Sequence, residues 1–352
     1  MSRSRTLHSN LHYFVAFALA WLQAVPGYRF QFPREHFDHP GFRTEWWYYT
    51  GNLRAADGHR YGFELVFFRQ GERHGPTENP SVWRVDDLYL AHLAWTDIDG
   101  RRFHFYRRLN RVGPGIAGAS FEQARIWNGN WEAKWDLAEG RQTLKAVADD
   151  VRFTLRLVSL KPPVLNGDHG LSQKAAGPGR ASYYVSLTRL SVEGDFNGAA
   201  VTGLAWMDHE WFTHQLEENQ RGWDWFSVQL DNSTELMLFQ LRRMDGSIDP
   251  FSAGTFVAKD GRATHLKRSD FELTPENWWT SPKTGGRYPI SWRIRIPPLR
   301  LELHCAASIS GQELASDEER TPSYWEGAVV YSGTLAGAGY LEMTGYAKPM
   351  RL

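Results

Sequence analysis

Along most of this 352-residue chain, apolar and polar residues alternate with a period of two, the pattern of half-buried β-strands. The alternation predicts strands over 44–53, 60–70, 87–97, 102–107, 131–137, 143–148, 151–160, 181–193 and 200–211. It resumes over 222–231, 235–243, 252–258, 264–273, 291–296, 299–306, 325–335 and 339–347. Turn signals such as Asp57-Gly58, Asp99-Gly100, Asn128-Gly129, Asp245-Gly246 and Asp260-Gly261 separate them. No segment carries a long apolar stripe at helical spacing, and the polar stretch 212–221 is expected to form a short helix joining two halves. About eight antiparallel strands per half point to an all-β fold of two closed or nearly closed up-and-down barrels.

The halves repeat one another. Trp47 in Thr44-Glu45-Trp46-Trp47 matches Trp225 in Gly222-Trp223-Asp224-Trp225, and each is followed by an apolar run ending in Arg, at Arg69 and Arg242. Asp99-Gly100-Arg101 with His104 matches Asp260-Gly261-Arg262 with His265, and a Trp lies 27 positions beyond each His, at Trp131 and Trp292. Ser182-Tyr183 and Ser323-Tyr324 lead to Thr202-Gly203 and Thr344-Gly345. Such order implies a duplicated domain, with boundaries at 35–216 and 217–352. After its Thr-Gly, only the first copy continues into Ala205-Trp206-Met207-Asp208-His209-Glu210-Trp211. That asymmetry points at the chemistry.

Composition narrows the function. Forty basic and forty acidic residues balance, which argues against nucleic acid as the main partner. Sixteen Trp, 14 Tyr and 20 Phe suit thick β cores, an aromatic-lined ligand cavity, or both. Residues 1–27, with Arg3 and Arg5 ahead of the apolar stretch Tyr13–Leu22, read as a signal peptide cleaved after Ala24 or Gly27, which implies a periplasmic or secreted protein. No other stretch is long enough to span a bilayer as a helix. Cys305 stands alone in an alternating strand, which excludes a disulfide framework and suggests a buried thiol.

On an extended strand, Trp206, Asp208 and Glu210 share one face, with His209 on the other. Two carboxylates beside a large aromatic can hold one acid protonated while its neighbour stays ionised, a set able to protonate an alkene or enol. The plainer alternative is an ion-paired lock, with Asp208 and Glu210 bridging to Arg69, Arg242 or Lys174. Asp208, His209, Glu210 and His214 match no strong zinc spacing, so neither metal nor cofactor is expected. His92 in an apolar strand is either a satisfied core histidine or a pocket donor, and Glu45 among tryptophans is open in the same way. The loop 161–180 is the longest irregular stretch predicted, which favours a functional role.

Glu45-Trp46-Trp47-Tyr48, Asn166-Gly167-Asp168 through Lys174, Ser182-Tyr183-Tyr184 and Trp206-Met207-Asp208-His209-Glu210-Trp211 resemble the AttH-like family, related to carotenoid 1,2-hydratase. The resemblance runs from about residue 35 to the end and implies two tandem lipocalin-like, calycin-type barrels. It implies an acid at Asp208, with His209 and Glu210 as its candidate partners. Glu45, Trp47, Tyr49, Arg69, His92, Lys174, Tyr184, Trp206 and Trp225 are the candidate ligand-binding residues. The hydratases have Tyr where Trp206 stands here, and a residue other than Glu at position 210, which argues against the hydratase reaction itself. Family members are often found beside transporter genes, so a transporter is an expected partner. Two readings stay open. The first is an exported carrier of an isoprenoid- or lipid-like molecule, favoured for the cellular role. The second is a hydratase-, isomerase- or cyclase-type enzyme.

Overall fold

The computed structural model describes residues 20–75, 78–214, 216–316 and 322–351. Among the described residues there is no α-helix, and the strands gather into two large antiparallel sheets and one small ribbon. The first sheet holds 13 strands and the second 10. In each, the opening strand pairs with the closing one. Thr44–Ala55 lies antiparallel to Ala199–Phe212, and Gln220–Leu230 lies antiparallel to Gly337–Met343. On its other side each opening strand pairs with its sequence neighbour, Arg60–Gly71 or Glu235–Arg243. The shared topology is that of a duplicated lipocalin-like barrel.

The first sheet curls until its ends approach. Asn128 ties them together, accepting from Asn110 Nδ2 at 2.6 Å and from Arg108 Nη1 at its carbonyl, while its own amide donates to the Tyr89 carbonyl at 3.0 Å. Strands wet on one side alternate cleanly. Arg152–Ser159 and Leu301–Ala307 turn every second residue inward, and Cys305 is buried on the inner face. Trp47, Tyr49, Phe63, Phe67, Trp131 and Phe153 fill the first barrel, and Phe226, Trp292, Leu303, Trp325 and Leu341 fill the second. Each such side chain contributes about 1.5–3 kcal/mol by leaving water.

The barrels meet face to face along a seam. It is built by the outward side chains of Thr44–Ala55, Arg60–Gly71 and Ala199–Phe212 against those of Gln220–Leu230, Tyr324–Gly333 and Gly337–Met343. Where they meet, and in the adjoining strand Glu235–Arg243, residues are buried on both faces, so the alternation of exposure disappears there. Gly62 allows the close approach. A Cβ there would lie 2.7 Å from the Tyr340 hydroxyl and 2.8 Å from Ala328 Cβ. At one end of the contact Glu235 accepts from Lys161 Nζ at 2.6 Å and Arg189 Nε at 2.5 Å, a buried clamp joining the barrels.

Several sequence expectations shift. Among the described residues of 212–221 there is no helix: one strand ends at Phe212 and the next begins at Gln220. The expected strand 264–273 is broken by a 3₁₀ turn at Arg268–Asp270. The loop 161–180 carries two short strands, Val164–Leu165 and Leu171–Gln173, laid on Ala181–Phe196. The apolar stretch Tyr13–Leu22 lies mostly outside the described residues. From Trp21 onward, however, the segment assigned to the leader packs on the first barrel. Trp21 stacks on His74, Ala24 is buried, and Val25 exchanges hydrogen bonds with the Tyr183 hydroxyl.

Candidate functional site

The strand Ala199–Phe212 divides its residues as its pleat dictates. Trp206, Asp208 and Glu210 face the seam, whereas Met207, His209 and Trp211 face the first barrel and its mouth. Asp208 is fully buried. Its Oδ1 accepts from Trp206 Nε1 at 2.6 Å and from Ser186 Oγ at 2.5 Å, and its Oδ2 accepts from the Tyr184 hydroxyl. Tyr184 in turn accepts from Trp225 Nε1 of the second barrel at 2.9 Å. Burial drives the Asp208 carboxyl up to about 7 despite these three donors, and the charge of Glu210 adds to the rise.

Glu210 accepts from Ser182 Oγ at 2.5 Å and lies 3.6 Å from Lys174 Nζ. Burial raises the Glu210 carboxyl and lowers the Lys174 ammonium. Lys174 comes from the long loop and sits 4.0 Å from the centre of the Phe239 ring, so that loop closes one side of the seam. Of the three expected bridges of the lock, the one to Lys174 forms and those to Arg69 and Arg242 do not. Arg69 pairs with Glu45 and Asp87, and Arg242 with Asp224.

The second barrel and the Arg60–Gly71 strand supply acids that sequence reasoning missed. Glu326 accepts from the Tyr48 hydroxyl, Glu342 accepts from Trp223 Nε1 at 3.0 Å, and Glu64 accepts from the Tyr324 hydroxyl at 3.2 Å. Burial pushes all three carboxyls up, Glu342 to about 7. His92 touches the same Tyr324 hydroxyl through Nδ1 at 2.6 Å. Each missed acid is a lone carboxylate inside an apolar run, as in Phe63-Glu64-Leu65 and Leu341-Glu342-Met343, which is the signal that could have found it.

The other candidates form a separate network at the mouth of the first barrel. Glu45 Oε1 bonds His39 Nδ1 at 2.7 Å and His209 Nε2 at 2.8 Å, and its Oε2 accepts from Arg69 Nε at 3.1 Å. Burial alone would raise Glu45, but His39, His209 and Arg69 outweigh it and hold the carboxyl far below the usual range. Trp47 stacks on His209, and the Tyr49 hydroxyl donates to Gln142 at 2.9 Å inside the barrel. His39, Glu45 and His209 could in geometry hold a metal ion. Their ligand atoms are spent on one another, on Glu35 and on Arg69, so the set reads as a structural plug for the barrel mouth.

Seven candidates therefore meet in the seam: Asp208, Glu210, Trp206, Tyr184, Trp225, Lys174 and His92. Glu45, Trp47, Tyr49, Arg69 and His209 do not. Half-buried Trp46, Phe68, Leu216, Trp223 and Phe251 border the seam on one side. At its far end a cleft of about 300 Å³ opens beside Asn52, Arg189, Leu204, Gln229 and Ala338.

Three solved structures share this architecture. An AttH from Nitrosomonas europaea is 32% identical, with 92% of this chain and 99% of that one covered and a TM-score of 0.82. Kievitone hydratase from Nectria haematococca is 16% identical over 92% and 94% of the two chains, with a TM-score of 0.68. CghA with Sch210972 is 13% identical over 86% and 89%, with a TM-score of 0.51. The last two likenesses concern the fold alone. No curated protein matches the chain. The AttH-like family model matches residues 23–346, nearly the whole described length, and the chain belongs to the AttH-like family.

Proposed function

We propose that this protein binds an apolar small molecule in the seam between its barrels and carries out acid–base chemistry on it there, with Asp208 as general acid. The observation that carries the reading is Asp208 itself. It is a fully buried carboxyl, raised to about 7, with its orientation fixed by Trp206, Tyr184 and Ser186 inside an aromatic cluster. An acid that titrates near neutrality can hold a proton at working pH and still release it. Trp206, which donates to Asp208, and Trp225 cross edge to face at 6.2 Å in the same cluster, an aromatic setting suited to a cation formed by protonating an alkene. Water addition to such a cation is hydratase chemistry, and a protein named a hydratase shares the fold.

Export is part of the same proposal, with the leader ending upstream of Trp21 so that the packing of Ala24 and Val25 survives. A transporter would be the delivering or receiving partner.

Native mass spectrometry with lipid extraction, on protein purified from its own exported fraction, tests the binding. A co-purifying apolar molecule is expected. A clean apo mass, with no binding from a panel of isoprenoids and fatty acids, would overturn it. With a ligand in hand, Asp208→Asn should abolish turnover and leave affinity largely unchanged. Full turnover by that variant would remove Asp208 from the chemistry. If wild-type protein binds without turnover, the carrier reading stands instead.

A further inference from the structure

One strand rung along from Asp208, the seam contains hydrogen-bond acceptors that the protein leaves without donors. Glu64 and Glu326 reach in from opposite barrels, and each is at most 1% exposed. One oxygen of each accepts from a tyrosine hydroxyl, Tyr324 or Tyr48. The second oxygens, Glu64 Oε2 and Glu326 Oε2, have no partner. His92 Nε2 and Thr50 Oγ1, also buried, are unpartnered as well. Thr50 lies directly across the ladder from both Glu64 and Trp206, so these atoms adjoin the Asp208 site.

The tyrosine fixes the histidine tautomer. When Glu64 is ionised, the Tyr324 hydroxyl gives its one hydrogen to Glu64 and so receives the Nδ1 hydrogen of His92. His92 Nε2 is then a bare acceptor on a neutral ring, its basicity suppressed to about 3 by burial and by the charge of Arg107. With the carboxyls ionised, the seam offers two carboxylate oxygens and one imidazole nitrogen as acceptors. Among the described residues neither Glu64 nor Glu326 is ion-paired to a Lys or Arg, and Lys174 is engaged with Glu210.

We infer that this part of the seam is a subsite for a protonated amine carried by the bound molecule. The inference rests on the proposal that the seam binds a small molecule and adds the class of its polar group. A hydroxyl brings one hydrogen and no charge. An alkylammonium brings three hydrogens and the positive charge that an ionised carboxyl needs in a dry setting. Tyr48 and Tyr324 meet these acids through their hydroxyls, which hold one oxygen of each and leave the other for the ligand. Without a cation, burial and the charge of neighbouring acids push both carboxyls up and favour their protonated forms. Binding therefore converts a carboxylic acid and a free ammonium into a carboxylate–ammonium pair and releases a proton to solvent.

Three probes with one hydrocarbon and different heads test this: decylamine, decanol and decanoate. Each is titrated into the full chain calorimetrically at pH 7.5, in two buffers of different ionisation enthalpy. The amine is expected to bind about tenfold tighter than the alcohol, the scale of a charge-assisted hydrogen bond. It should release close to one proton, with decanoate weakest. Glu64→Gln and, separately, Glu326→Gln should each remove the preference for amine and the proton release while decanol binding stays. Equal binding of amine and alcohol by wild-type protein, with no proton release, would overturn the subsite and leave seam binding intact. Failure of all three probes to bind would remove the seam reading beneath it. The wild-type comparison needs no variant, so a substitution that fails to fold does not blunt the test.

Discussion

Glu210 and Glu342 occupy the same position in the two barrels. Glu210 lies across the ladder from Trp46, which lies across from Phe68, while Glu342 lies across from Trp225, which lies across from Phe239. Both acids face the seam, so the second copy does contribute acids to the site. What it lacks is an equivalent of Asp208. Two residues before Glu342 stands Tyr340, and the duplicated unit became one-sided there.

The seam acids set a pH dependence. Asp208 and Glu342 sit near 7 in the folded protein, against about 4 when unfolded. Between these values the folded state holds protons that the unfolded state has released, so stability falls as pH rises through that window. Glu342→Gln removes one such group. Its Tm relative to wild type should be higher at pH 8 than at pH 5, by a few degrees at about 2–4 °C per kcal/mol. An identical difference at both pH values would show that Glu342 does not titrate across the window.

The mouth network behaves oppositely at its acid limb. Glu45 is held low by His39, His209 and Arg69, so its contribution is present above the ordinary carboxylate range and lost as pH falls. Glu45→Ala leaves Arg69 buried without the more buried of its two acids and should cost about 3–5 kcal/mol in denaturant unfolding at pH 7. A loss below about 1 kcal/mol would mean that Asp87 and the carbonyls of His39 and Phe42 suffice for Arg69.

The clamp at Glu235 holds the barrels together from one end. Glu235→Ala strands Lys161 and Arg189 in a buried setting and should cost about 3–5 kcal/mol. Calorimetry should then show two transitions where wild type shows one, and the crossing segment 213–219 should become easier to cleave. A single unbroken transition would place the cooperativity elsewhere in the seam.

Gly62 tests the approach of the barrels independently of charge. Gly62→Val drives a side chain into Tyr340 and Ala328 and should cost about 1–3 kcal/mol, with altered Trp225 fluorescence. Unchanged stability would mean that the barrels separate without loss.

The fold was legible wherever one face of a strand is wet, because exposure then alternates, as in Arg152–Ser159. It was least legible in the seam, where Glu235–Arg243 is buried on nearly every side chain. At the tryptophans the repeat was found one residue out of step, and the match of Thr202-Gly203 to Thr344-Gly345 fails outright: with Glu210 level with Glu342, Thr344 stands level with Phe212. Matching Trp47 to Trp225 equates a ring inside the first barrel with one facing the seam. The structural match equates Glu45 with Asp224, each an inward acid bonded to an Arg from the adjacent strand. Identity of residue type had outvoted parity. For the site, the pleat alone placed Asp208 and Glu210 together and His209 apart. It could not say which barrel faces would meet, and so Glu64, Glu326 and Glu342 stayed hidden.

Because the site is assembled from two barrels joined by the short crossing at 213–219, its completeness does not depend on protein concentration. A pair of separate barrels would come apart on dilution, exposing Trp206, Trp225 and Tyr340 to water as an aggregation-prone strip. Tethering makes reassembly an intramolecular event at millimolar effective concentration. Such a seam remains whole however dilute the protein becomes.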